Sequence, residues 1–137
     1  MAAKQEVKTL LSKTITTAVS IVATSQTSFT QRPVSLTLQA NFTYGSGGTS
    51  ADAYVQTSLD GGSTWMDVAE FGFTTSSARK AFNLTNAAVT SVATPGDAAL
   101  TANTCVNGFL GSLYRVKYVT TGTYAGSTTL VITAVPT

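Results

Sequence analysis

The chain has 137 residues, a formal net charge of +2, one cysteine and no histidine. That length suits one domain with one hydrophobic core, and a lone Cys105 excludes an intrachain disulfide and any cysteine-rich zinc site. Charged residues are only 10% of the chain while Ser and Thr together number 40, so hydroxyls must solvate the surface, and the net charge is too small to suggest a dedicated nucleic-acid binder, which usually shows a strongly basic patch or stripe.

Residues 1–13 are the only segment with helical spacing, because Val7, Leu10 and Leu11 fall on one helical face with Lys4 and Lys8 nearby. The segment is expected to be a short helix or strand packed on its own domain, or an N-terminal arm whose Val7, Leu10 and Leu11 reach a neighbouring subunit. The apolar pair is soon interrupted by Lys13 and several threonines, unlike the apolar stretch of a signal peptide. With no apolar run approaching the ~18 residues of a membrane span, the expectation is a soluble chain made in a cytoplasm.

Residues 14–137 read as a single β domain. From Thr14 to Ala23, Ile15, Val19 and Ile21 share one side of an extended chain rich in β-branched residues, which predicts a strand. The clearest alternation follows: Val34, Leu36, Leu38, Ala40, Phe42 and Tyr44 against Ser35, Thr37, Gln39, Asn41 and Thr43. Gly45 to Ser50 is a glycine-rich connector. Asp52 to Ser58 and Thr64 to Phe71 then form a hairpin about Asp60-Gly61-Gly62-Ser63. Ala78 to Leu84 is a short strand, and Asn86 to Ala102, with its Thr94-Pro95-Gly96-Asp97 turn, is a long loop. Leu113 to Thr120 and Thr128 to Val135 are expected to close the chain as a last hairpin around Gly122 to Gly126. Seven or eight strands with short connections predict an antiparallel β-sandwich, immunoglobulin-like or jelly-roll.

The absence of histidine removes the usual general base and the commonest metal ligand. Cys105 then lacks a partner that would activate it, and an inert thiol is expected. Six carboxylates remain: Glu6, Asp52, Asp60, Asp67, Glu70 and Asp97. A glycosidase needs two of them across a cleft. Asp67 and Glu70 are the nearest useful pair, but positions three apart in a strand point to opposite faces unless a bulge intervenes. No stretch has the acidic density of a calcium loop. No catalytic residue, metal site or cofactor is expected, and a small-molecule ligand is not expected.

Ser58-Leu59-Asp60-Gly61-Gly62-Ser63-Thr64-Trp65 resembles the Asp-box, S-x-D-x-G-x-T-W, of sialidase-like propellers at every defined position. The resemblance implies a self-bonded turn in which Asp60 caps backbone donors, Gly62 permits the turn and Trp65 packs beneath it, away from any active site. One box in a chain this short cannot make a propeller. Arg115 and Lys117 share one strand face while Tyr114, Val116 and Tyr118 share the other. That basic stripe is expected either to be solvated or, with Arg79 and Lys80, to meet an acidic partner surface.

The general plan, from a short N-terminal arm through Tyr54-Val55-Gln56-Thr57-Ser58-Leu59-Asp60-Gly61-Gly62 to Tyr114-Arg115-Val116-Lys117-Tyr118, is similar to the small β-sandwich virion proteins of tailed bacteriophages, which include decoration, adaptor and fibre-base components. The resemblance implies a non-enzymatic structural protein, foremost a capsid decoration or cement protein. Its partners would be copies of itself and other virion proteins, such as the major capsid protein or tail and neck proteins, with no nucleic acid or membrane involved. It would be made in the bacterial host cytoplasm and reside in the virion. A neck or tail adaptor, or a fibre-base protein, is the alternative within that class. A carbohydrate-binding or adhesion module is the alternative outside it, motivated by Tyr44, Tyr54, Trp65, Tyr114 and Tyr124.

Overall fold

The computed structural model describes residues 6–87 and 96–137. Among them there is no helix, and seven strands of eight or nine residues carry the fold: β1 (Lys8–Ile15), β4 (Ser35–Thr43), β6 (Ser50–Ser58), β7 (Met66–Phe73), β8 (Ala78–Thr85), β9 (Leu113–Thr121) and β11 (Thr128–Pro136). Four two-residue strands join them: β2 (Val22–Ala23), β3 (Thr27–Ser28), β5 (Ser46–Gly47) and β10 (Tyr124–Ala125). The first sheet has the order β1-β11-β4-β8; the second has β2-β9-β6-β7, with β3 also pairing β9. Every pairing is antiparallel, giving an all-β, sandwich-like fold.

The core lies between the two sheets because period-two alternation gives each strand one apolar side. Leu36, Leu38, Ala40 and Phe42 of β4 face inward with Leu130, Ile132 and Ala134 of β11. Opposite them lie Ala51, Ala53 and Val55 of β6, Phe71 and Phe73 of β7, and Tyr114, Val116 and Tyr118 of β9. One end is closed by aromatic packing: Phe42 stacks on Phe73 at 4.8 Å between centroids and meets Tyr124 edge-on at 5.8 Å. Tyr124 is fully buried and its hydroxyl donates to the Thr74 carbonyl at 2.7 Å.

Two expectations at the start of the chain are corrected. Helix and arm are wrong for residues 8–13, and the strand packed on its own domain holds: they belong to β1, which pairs with β11. A β-bulge between Thr9 and Leu11 turns Leu10 and Leu11 both into the core, where they are 4% and 5% exposed. An extra residue in a strand breaks the period of two, and the resulting spacing imitates a helix. Residues 1–5 lie outside the described residues. The single strand expected over Thr14 to Ala23 is also not formed, since β1 ends at Ile15 and only Val22–Ala23 pairs again.

The expected last hairpin is replaced by a crossing. β9 pairs with β6 in the second sheet and β11 pairs with β4 and β1 in the first, so the segment from Gly122 to Ser127 passes from one layer to the other. On the way Tyr124 and Ala125 pair with Gly47 and Ser46. The connector and the turn touch there so closely that a Cβ on Gly45 would lie 2.0 Å from the Gly126 carbonyl oxygen, which is why glycine is required. The loop expected over 86–102 is described only at its ends, because 88–95, including Thr94 and Pro95, lie outside the described residues.

Candidate functional site

The turn between β6 and β7 is built from its own side chains. The Ser58 hydroxyl donates to Asp60 Oδ1 at 2.8 Å and accepts from the Gly62 amide at 2.8 Å. Asp60 in turn accepts the Thr64 amide at 2.8 Å and the Thr64 hydroxyl. Those donors, Thr64 foremost, hold the Asp60 carboxyl down at about 2. Gly62 has φ 98°, a left-handed geometry costly to residues with a Cβ. Trp65 is half-buried, and the Arg115 guanidinium covers its ring at 4.6 Å from the centroid.

The outer face of the second sheet gathers most of the polar chemistry. A second bulge, with Val68 as the extra residue between Asp67 and Ala69, is the exception that keeps Asp67 and Glu70 from pointing apart. Asp67 lies opposite Gln56, and Glu70 opposite Tyr54. Gln56 and Tyr54 are two apart on β6, so both acids share the outer face. On β9 the rows continue to Arg115 and Lys117. This face is covered in part by the 96–106 segment, which runs along β7: the Asp67 amide donates to the Gly96 carbonyl, the Glu70 amide to Thr104, and Val106 to Val68.

Asp67 pins that segment. It is 1% exposed and accepts the amides of Ala98, Ala99 and Leu100 at 2.8, 2.8 and 3.1 Å, together with Gln56 Nε2 at 2.8 Å. Ala98 is held at φ 59°, a conformation alanine rarely adopts. The amide of Gln56 also donates to Asp97 Oδ1 at 2.6 Å and its oxygen accepts Arg115 Nε at 2.8 Å. Lys117 closes the network on Asp97 at 2.9 Å, and this bond, with that from Gln56, keeps the Asp97 carboxyl below its ordinary range. Both cations of the basic stripe are therefore engaged within the chain.

Glu70 pins the same segment lower down, accepting the Asn103 amide at 3.0 Å. Its other oxygen, Oε1, is buried with no donor. Burial, then the neighbouring Asp52 carboxyl, raises Glu70 from 4.5 to about 7. Asp52 is itself raised, chiefly by burial. Asn103 is a hub: its side-chain oxygen accepts the Gly72 amide and Lys80 Nζ, both at 3.0 Å. Lys80 also donates to the Gly72 carbonyl and lies 4.9 Å from the Phe73 ring centroid, tying edge strand β8 to edge strand β7. Beside this cluster an open pocket of about 380 Å³ is lined by Asp52, Gly72, Phe73, Lys80 and Asn103, among others.

The remaining residues expected to form an interface are scattered. Arg79 is exposed on the outer face of the first sheet, opposite Asn41. Val7 is 57% exposed, while Leu10 and Leu11 are core and offer no apolar surface to a neighbour. Among the described residues, no cluster of three or more metal-ligating side chains occurs. Sequence reasoning missed the Asp52, Glu70, Lys80 and Asn103 cluster, because only strand register brings those four together.

Comparison with known proteins finds no matching family model, no similar curated protein and no similar solved structure.

Proposed function

We propose that this domain is a non-enzymatic structural component of a tailed-phage virion, a capsid decoration protein that acts through contacts with its own copies and with the major capsid protein. The observation that carries this reading is the division of labour among the charged groups. Asp60 is spent on its turn and Asp67 on the 96–106 segment. Glu70 has a carboxyl poised near neutral pH, yet at 1% exposure it is out of a substrate's reach. The outer face of the first sheet, by contrast, is broad, almost uncharged and, among the described residues, open. Such a surface suits contact with a neighbour better than turnover of a molecule. The same features would serve a neck or tail adaptor. The sugar-binding alternative loses its best platform, since Arg115 occupies a face of Trp65 and Tyr114 and Tyr124 are buried.

The test is mass spectrometry of purified virions from the host that carries this chain, with binding of the isolated protein to assembled shells. The chain is expected in many copies per particle. Its absence from particles, with no binding to shells, overturns the reading.

A further inference from the structure

The two outer faces of the sandwich differ in chemistry. The second carries Asp52, Asp67, Glu70, Arg115 and Lys117 and is partly covered. Among the described residues nothing covers the first, which presents hydroxyl, amide and methyl groups in register: Thr133, Gln39 and Ala81 form one row, and Val131, Asn41 and Arg79 the next. Arg79 is the one charge among its outward-facing strand positions, and it sits on the outermost strand.

The edges of this sheet are guarded, unlike its face. Lys8 and Lys13 of β1 stand opposite Ala134 and Leu130, at the inward parity of the core, and Lys13 reaches water past the edge. Lys80 of β8 stands opposite Ala40 and spends its ammonium on Gly72 and Asn103. Inward-parity lysines and the bulge in β1 oppose addition of a foreign strand. A neighbour must therefore approach face-on.

We propose that the outer face of the first sheet is where a second copy of this chain docks, across a two-fold axis near Gln39 and Thr133. This inference rests on the structural role proposed above. A copy is the fitting occupant because an isologous contact sets a surface against itself, and a charged surface would repel its twin. Here only uncharged groups meet, and Arg79 falls at the rim where it stays hydrated. An acidic or basic partner would find a single guanidinium to read. Four strands ~4.8 Å apart and about eight residues long give a footprint on the order of 500 Å² per copy. Two copies then reach roughly the 1,000 Å² that separates specific contacts from casual ones. A weak dimer follows, strengthened where many copies are held close on one particle.

Sedimentation equilibrium from about 1 μM to about 1 mM reads the dissociation constant directly. Wild type is expected to dimerise. Gln39→Lys and Thr133→Lys, whose side chains point away from the core, should each weaken the dimer at least tenfold, while Ser25→Lys, off this face, leaves it unchanged. Mixing Gln39→Lys with Gln39→Glu should restore association, which a folding defect would not allow. A wild type that stays monomeric at the top concentration overturns the inference, and so does a dimer indifferent to these variants. If the chain is nonetheless abundant in purified virions, the virion role stands and this face alone is wrong. A dimer built on this face by a chain absent from virions upholds the docking surface and overturns the virion role.

Discussion

Glu70 on β7 and Asp52 on β6 are diagonal neighbours on one face of the second sheet, with Glu70 sealed from water and Asp52 half-buried. Lys80 is the cation nearest both. Two carboxylates so placed are stable together when they share a proton, because one ammonium cannot neutralise two buried charges.

Stability should therefore fall as pH rises toward neutrality. Glu70 is raised from 4.5 to about 7, so its contribution is fully present below 4.5 and is lost as pH rises through about 7. Asp52 is raised too and acts in the same sense. The thermal midpoint is expected to drop between about pH 4.5 and about pH 7 and to level off above that. Glu70→Gln should flatten that drop, since an amide still accepts from Asn103 and donates to Asp52. A flat wild-type profile would contradict the shared proton.

Removing the other pin should loosen the same segment. Asp67→Ala leaves the amides of Ala98, Ala99 and Leu100 without their acceptor, and is expected to cost roughly 2–4 kcal/mol. Urea denaturation reads the loss, and limited proteolysis should find new cleavage within residues 96–106.

The β6–β7 turn should be sensitive to backbone and side chain separately. Gly62→Ala forces a Cβ into a left-handed residue 2.9 Å from Gln26 Oε1, and is expected to cost roughly 1–3 kcal/mol. Asp60→Ala should speed hydrogen exchange at the Thr64 amide, which loses its acceptor, while amides in the middle of β6 keep their protection.

Trp65 offers a direct probe of the stack above it. Acrylamide should quench its fluorescence only partly in the wild type, and Arg115→Ala should raise the quenching constant because the guanidinium that covers the ring is gone. Equal quenching in both proteins would mean the stack does not persist in solution.

Much of the fold was legible because alternation is a local signal. β4, the β6–β7 hairpin and β8 follow from which residues are apolar at every second position. Bulges and partners were not legible. The extra residue at Leu10 made a strand look helical, and the extra residue at Val68 put Asp67 and Glu70 on one face. The link from β9 to β11 had a hairpin's length, but each strand's inward residues, Tyr114 and Val116 against Leu130 and Ile132, serve opposite layers. Alternation says which way a side chain points and nothing about which strand lies beside it. The Asp-box residues stood adjacent in sequence and could be read together; Asp52, Glu70, Lys80 and Asn103 meet only through register and a loop.

The pairing of β1 with β11 sets Lys8 beside Ala134 and Leu11 beside Ile132, so on the ribosome β1 finds its partner only after every other strand of the domain has been made. At ordinary translation speeds that interval is on the order of ten seconds. Throughout it Leu10, Leu11 and Ile15 have no sheet to enter, and the nascent chain depends on chaperones or on a provisional collapse to keep them from sticking elsewhere.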